Sequence, residues 1–193
     1  KKSDLNKKLV LGILFIFPLL VYLFFASGKN NFAKLPILTK GVAEISSFDS
    51  LQSIQLKDKI TILGYWGGSL ASKKAEALNL NEKIYKRFYE FQDFQFVFLV
   101  NQEYAEEVAQ LKNALKEGVG TDLSRWNFIS LTKGQMEQHF RSLKTPLELD
   151  KAASTPYVFI IDKAANLRGR NDDEDDGVLY GFDARSVAQI NKK

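Results

Sequence analysis

Cysteine is absent from the 193 residues. That excludes disulfides, thiol–disulfide exchange, cysteine–zinc sites, cysteine nucleophiles and a lipid anchor on cysteine. Histidine occurs once, as His139, and methionine once, as Met136. A single histidine excludes any multi-histidine metal site and leaves one candidate base for a serine–histidine–aspartate triad. Excess charge is also scarce. The formal charge is +4, and +3 of it falls in residues 1–28. The remainder lacks the concentrated positive field that nucleic-acid binding needs, so no nucleic-acid partner is expected. There is no internal repeat. What the chain does have is apolar: 45% of its residues, with 15 Phe, enough for a packed core.

Leu9 to Ala26, LVLGILFIFPLLVYLFFA, is 18 residues without a charge. As a helix it spans about 27 Å, near the hydrocarbon thickness of a bilayer. Gly12 and Pro18 interrupt it, which bilayer helices tolerate. Lys7 and Lys8 precede it, and Tyr22 lies near its outer end. The pattern predicts a cytoplasmic N-terminus over 1–8, a transmembrane anchor over 9–26 and a periplasmic domain beyond. Ala26-Ser27-Gly28 supports a competing reading, a cleaved signal peptide. The run exceeds the usual h-region of about 7–15 residues, which favours the anchor. An extracytoplasmic domain without disulfides must stand on its packed core alone.

Residues 27–58 read as a linker followed by short extended pieces. From 59 to 193 the pattern alternates. Ile60, Ile62 and Leu63 make an apolar strand ending at Tyr65-Trp66. Ala77, Leu80, Ile84, Phe88 and Phe91 recur at helical spacing. Phe94 to Val100 reads as a strand buried on both faces. Tyr104, Val108, Leu111 and Leu115 line a second helix, which Gly118 and Gly120 stop. Trp126 to Leu131 is a strand nearer an edge. Thr132 and Gln135 have capping-box spacing and open a helix with Met136, Phe140 and Leu143 inward, leaving His139 at its surface. Thr155 to Asp162 is another apolar strand, and Lys163 to Asn166 turns it into a hairpin with Leu167 and Arg168. Ser186 to Asn191 begins a last helix, with Asp183 as its N-cap. The expected class is α/β: a mixed sheet flanked by helices, preceded by one transmembrane helix.

Two junctions in this order resemble those of a thioredoxin-like domain. One is Gly64-Tyr65-Trp66-Gly67-Gly68-Ser69-Leu70-Ala71-Ser72, from strand to helix, where that fold carries its reactive cysteines. A helix N-terminus stabilises a thiolate there. The other is Thr155-Pro156-Tyr157-Val158-Phe159-Ile160-Ile161-Asp162, which implies a cis Pro156 facing the redox site. More closely, the chain is similar to the SCO/SenC family of membrane-anchored copper-delivery proteins for cytochrome c oxidase assembly. The likeness covers most of residues 30–193. It includes the anchor, Leu35-Pro36, the helix before the hairpin, Leu167-Arg168-Gly169-Arg170 and Gly181-Phe182-Asp183.

The resemblance implies a Cys-x-x-x-Cys pair and a distant His as copper ligands. Those positions fall on Gly68, Ser72 and Ser154 here, or on Leu70 and Lys73 in a thioredoxin-type register for the pair. None supplies sulfur, and serine is a poor ligand for Cu(I). The implied function is therefore a non-catalytic accessory or docking module in oxidase assembly. It would use no cofactor and would meet a protein partner around Trp66, Gly68, Ser72, Ser154 and Pro156.

Other residues carry competing chemistry. Gly67-Gly68-Ser69 before a helix suits an anion or a simple helix cap. Met136 and His139, three apart, suit a soft metal or the core. Asp172 to Asp183 approaches a calcium loop with Gly177 at its turn, or is a solvated acidic loop. The alternative function is thus metal binding, by calcium at 172–183 or by copper through ligands outside the family set. Ser69 or Ser72 as a nucleophile needs an adjacent base, for which only His139 is a candidate.

Overall fold

The computed structural model describes residues 2–26, 35–48, 53–120, 122–173 and 177–186. It divides into two units, 1–34 and 35–193.

The first unit is one helix, α1, Lys2–Ala26, with Pro18 inside it. Its stretch Asn6–Phe24 is long and apolar enough to cross a membrane. No face is reserved for a core: Phe15 is 70% exposed and Phe24 74%. A helix apolar all round is suited to lipid rather than water.

The second unit is built on a mixed sheet. Its centre is β2, Ile60–Trp66, paired in parallel with β3, Phe94–Asn101, and antiparallel with β5, Tyr157–Ile161. Both central strands are nearly continuous runs of buried residues, as a sheet covered on both faces requires. Beyond β3 lies β4, Trp126–Leu131, parallel and at the edge. Beyond β5 lie β6, Leu167–Arg168, and β1, Ile37–Thr39, both antiparallel. The sheet order is β1-β6-β5-β2-β3-β4. A ribbon of β7, Arg170–Asp173, and β8, Gly177–Leu179, follows; β9, Phe182–Asp183, then returns to β5.

One face of the sheet packs against α2, Lys74–Leu80, and α4, Glu107–Val119, through Leu80, Leu111 and Leu115. The other packs against α5, Lys133–Arg141, through Met136, Phe140 and, just past the helix, Leu143. Thr132 caps α5 in a reciprocal box: its hydroxyl accepts from the Gln135 amide, while the Gln135 side chain accepts from the Thr132 amide.

Several expectations need correction. Of the linker and short extended pieces expected over 27–58, the described parts 35–48 and 53–58 pack inside the second unit, with β1 as one extended piece. Ile45 and Leu56 are fully buried, and the Val42 amide donates to Ala165 O at 2.8 Å. Their apolar residues have no period and are placed by tertiary contacts alone. The helix expected through Phe91 ends earlier. A π-helical turn over Asn81–Tyr85 leads into α3, Lys86–Phe88. The wider turn changes the helical phase, and Phe88 is 40% exposed rather than inward; Phe91, past the end of α3, is 62% exposed. Helix α4 runs through Gly118 and stops at Gly120, whose φ of 65° is the left-handed cap. The last helix expected over Ser186–Asn191 lies outside the described residues beyond Ser186.

Candidate functional site

The C-terminal end of β2 brings the two expected junctions together. The Tyr65 carbonyl accepts from the Thr155 amide at 3.0 Å and from the Ser154 hydroxyl at 3.3 Å. Asp150 shapes the facing turn: its Oδ1 accepts from the amides of Ala152 and Ser154. This turn lies so close to Gly67 that a Cβ there would sit 1.9 Å from Ala152 O. Only glycine allows that approach. Gly68 is different: a Cβ there meets nothing nearer than Ala152 Cβ at 3.7 Å. A Cβ at Gly68, where the resemblance puts the first cysteine, is therefore sterically admissible.

Trp66 does not belong to any surface. It is 1% exposed and packs on Phe98 with ring centroids 3.9 Å apart and the planes tilted by 32°. Ser154 is also buried. Gly68 and Pro156 are half-buried and Ser72 is exposed, so these three remain for contact. Leu70 is fully buried, and Lys73 pairs with Glu76 at 3.1 Å. The Thr155–Pro156 bond is trans, as are all peptide bonds among the described residues. The cis form that the resemblance implies is not adopted. Trans is the lower-energy form of an X–Pro bond by about 0.5–1 kcal/mol.

Glu107, which no local sequence signal marks, fills the N-terminus of the 3-10 turn Leu70–Lys73 that leads into α2. Its Oε2 accepts from Ser69 Oγ at 2.9 Å, the Leu70 amide at 2.7 Å and the Ala71 amide at 3.2 Å. The Ser69 hydroxyl and the two amides hold its pKa below the ordinary carboxylate range. The donors that would face a thiolate or an external anion are thus given to a carboxylate of the same chain. Ser72 donates to Ser69 O at 2.7 Å. The anion reading of Gly67-Gly68-Ser69 loses its donors to Glu107. Only the position of Glu107 in the first turn of a helix was visible in sequence; its partners lie 36–38 residues away.

His139 is not at a helix surface: it is completely buried. Its Nε2 lies 3.0 Å from Ala43 O and its Nδ1 2.7 Å from the Tyr65 hydroxyl. A carbonyl only accepts, so Nε2 carries the proton and Nδ1 accepts from the phenol. Burial drives the imidazole pKa down to about 4, against the Ala43 carbonyl, which favours the proton. Both nitrogens are engaged, so His139 neither joins Met136 at a metal nor serves Ser69 or Ser72 as a base. Among the described residues no group of three or more His, Asp or Glu is arranged to hold a metal. In the expected calcium loop, 174–176 lie outside the described residues. Asp183, its last expected ligand, is gripped by the Arg185 guanidinium at 2.7 Å.

No family model matches the sequence, and no curated protein matches it. Solved structures do. BsSco, described as a member of the Sco family of cytochrome c oxidase assembly proteins with a disulfide switch, is 9% identical. It covers 83% of this chain and 95% of its own, with a TM-score of 0.53. A SCO1/SenC family lipoprotein from Bacillus anthracis is 11% identical over 86% of this chain and 98% of its own, TM-score 0.45. A DsbF homologue from Corynebacterium diphtheriae is 17% identical over 86% and 96%, TM-score 0.45. At such identities the likeness is one of fold. The second unit has a SCO/SenC-like thioredoxin fold, built without a single cysteine.

Proposed function

We propose that this chain is a membrane-tethered accessory module that keeps the Sco-type scaffold as a docking platform and carries out no redox or copper chemistry. In this reading 1–8 is cytoplasmic, 9–26 is the anchor and the folded domain is periplasmic. The observation that carries the proposal is the occupied corner. The resemblance puts the family's cysteine pair at Gly68 and Ser72, or at Leu70 and Lys73, none of which carries sulfur, and Glu107 accepts from the Leu70 and Ala71 amides that would otherwise be open to a thiolate. A carboxylate at that distance would instead raise the pKa of a nearby thiol by like-charge repulsion. A tether concentrates such a domain beside membrane partners without adding a contact.

The partner proposed is a component of a respiratory oxidase assembly pathway, on the strength of what BsSco is described as doing. Its contact surface is the exposed rim of the corner: Gly68, Ser72 and Pro156. The test is a photo-reactive residue placed at Ser72 and, as control, at Glu117, in the membrane-inserted full chain. Cross-links to an oxidase subunit or a copper-carrying Sco protein from Ser72, and not from Glu117, are expected. Equal cross-linking from both positions, or oxidase assembly unchanged when the chain is removed, overturns the proposal.

A further inference from the structure

The two edges of the sheet are built differently. At one edge β1 has three residues, follows Pro36, precedes Lys40 and pairs with β6 through an irregular register. Shortness, proline, lysine and a break in register are the usual guards of an edge strand against pairing with another chain. At the other edge β4 has six residues, Trp-Asn-Phe-Ile-Ser-Leu, with no charge, no proline and an unbroken register on β3. None of the guards is present there.

The register shows which backbone groups of β4 face outward. Trp126 lies opposite Phe96, and the Phe96 amide donates to Arg125 O at 2.8 Å. In a parallel ladder each bonded residue joins the two residues that flank its opposite number. Phe96, Phe98 and Val100 therefore take up the inward groups of residues 125, 127, 129 and 131. The N–H and C=O of Phe128 and Ser130 point away from the sheet, and among the described residues nothing bonds to them. The amides on either side are already used. Trp126 donates to Leu123 O at 3.0 Å, and Thr132 to the Gln135 side chain at 2.9 Å.

We propose that β4 pairs antiparallel with β4 of a second copy of this chain, across a twofold axis at Ile129, so that two sheets become one. About that axis Phe128 faces Ser130 of the second copy, and Ser130 faces Phe128 of the second copy. Each pair exchanges two N–H···O bonds, which satisfies every outward group of both residues. A second copy is the occupant because the edge is complementary to itself: the axis maps its free donors onto its own free acceptors, a match that needs no second sequence. The uncharged strand sets no like charges face to face. The cations nearest its ends have carboxylates beside them, with Lys133 paired to Glu137 at 3.8 Å and Asp122 in the field of Arg125. Side chains agree with this register. Phe128 is stacked on Trp126 and lies under Lys112, and the small Ser130 of the second copy leaves its ring in place. The pairing turns one copy end for end, so the two Gly68–Ser72 corners lie at opposite ends of the joined sheet.

The lack of cysteine makes the test simple, because each introduced cysteine is unique. Full chains carrying Phe128→Cys and Ser130→Cys, given tags of different size, are mixed in detergent and oxidised. Opposite Cα atoms of a hydrogen-bonded pair are about 5.5 Å apart, within disulfide reach. Within either variant alone the cysteines are diagonal neighbours, about 7–8 Å apart and beyond that reach. Disulfides joining the two different tags, and few joining like tags, are expected. In the parent chain, hydrogen exchange at the Phe128 and Ser130 amides should slow several-fold from dilute to concentrated solution as sedimentation shows a dimer forming. Ser130→Lys, which supplies a guard that β4 lacks, should abolish the dimer and leave exchange fast throughout. A chain that stays monomeric at every concentration overturns the proposal. So does a dimer that survives Ser130→Lys, or one that joins like tags as readily as unlike. Protection of both amides without a dimer overturns it too, and shows that a strand other than a second β4 covers the edge.

Discussion

The phenol of Tyr65 donates a 2.7 Å hydrogen bond to Nδ1 of His139, inside the apolar layer between β2 and α5. The same residue holds Ser154 and Thr155 through its carbonyl. Through Nε2, His139 reaches on to Ala43. One tyrosine thus links the candidate site to α5, and through it to the segment that enters the domain.

The buried imidazole gives stability a pH dependence of definite sign. Above pH 6.5 it is neutral in both the folded and the unfolded chain. Below 6.5 the unfolded chain takes up a proton, which the folded chain refuses until about pH 4. Stability is therefore complete above pH 6.5 and lost as pH falls to 4, by about 3 kcal/mol from this group. Urea denaturation at steps of pH should show that fall, and His139→Gln should flatten it.

Removing the phenolic hydroxyl leaves Nδ1 buried without a donor. Tyr65→Phe is expected to cost about 1–3 kcal/mol. His139→Leu strands both the Tyr65 hydroxyl and the Ala43 carbonyl and should cost more than Tyr65→Phe in the same urea titration.

Gly67 and Gly68 are neighbours with opposite tolerance. Gly67→Ala places a methyl 1.9 Å from Ala152 O, and forcing the turn apart should cost upwards of about 2 kcal/mol. Gly68→Ala, with 3.7 Å of room, should change the melting temperature by no more than a few degrees. Thermal melts of the two variants read the difference.

Glu107→Gln loses the charge that the Leu70 and Ala71 amides share. Those two amides should exchange their hydrogens faster than in the parent chain, while amides of β3 keep their protection. Equal exchange at Leu70 and Ala71 in both proteins would show that the clamp does not hold the corner.

Much of the fold was legible because its signals are local. The run Phe94 to Val100, the capping residues Thr132 and Gln135, and the charge-free stretch from Leu9 each announce their element within one short window. The π-helical turn at Asn81–Tyr85 was not legible: nothing in Asn-Glu-Lys-Ile-Tyr departs from a helical pattern, yet past the turn Phe88 faces outward. Val42, Ile45 and Leu56 were lost to the linker because burial without periodicity leaves no trace. At the candidate site, the missing sulfur could be read directly. Its physical counterpart, Glu107 on Leu70 and Ala71, could not, since side chain and amides meet only through the fold. His139 was misplaced for the same reason: the Tyr65 and Ala43 groups that permit its burial lie 74 and 96 residues away.

Whether the corner has given up metal and electron chemistry is decided by titrating the purified full chain with Cu(I), anaerobically and against a coloured chelator. The chelator is expected to keep its copper at every protein concentration, because the corner offers Gly68, Ser72 and Ser154 and the one imidazole is engaged on both nitrogens. Withdrawal of a stoichiometric equivalent of Cu(I), abolished by substitution at the corner, would contradict a docking role without copper.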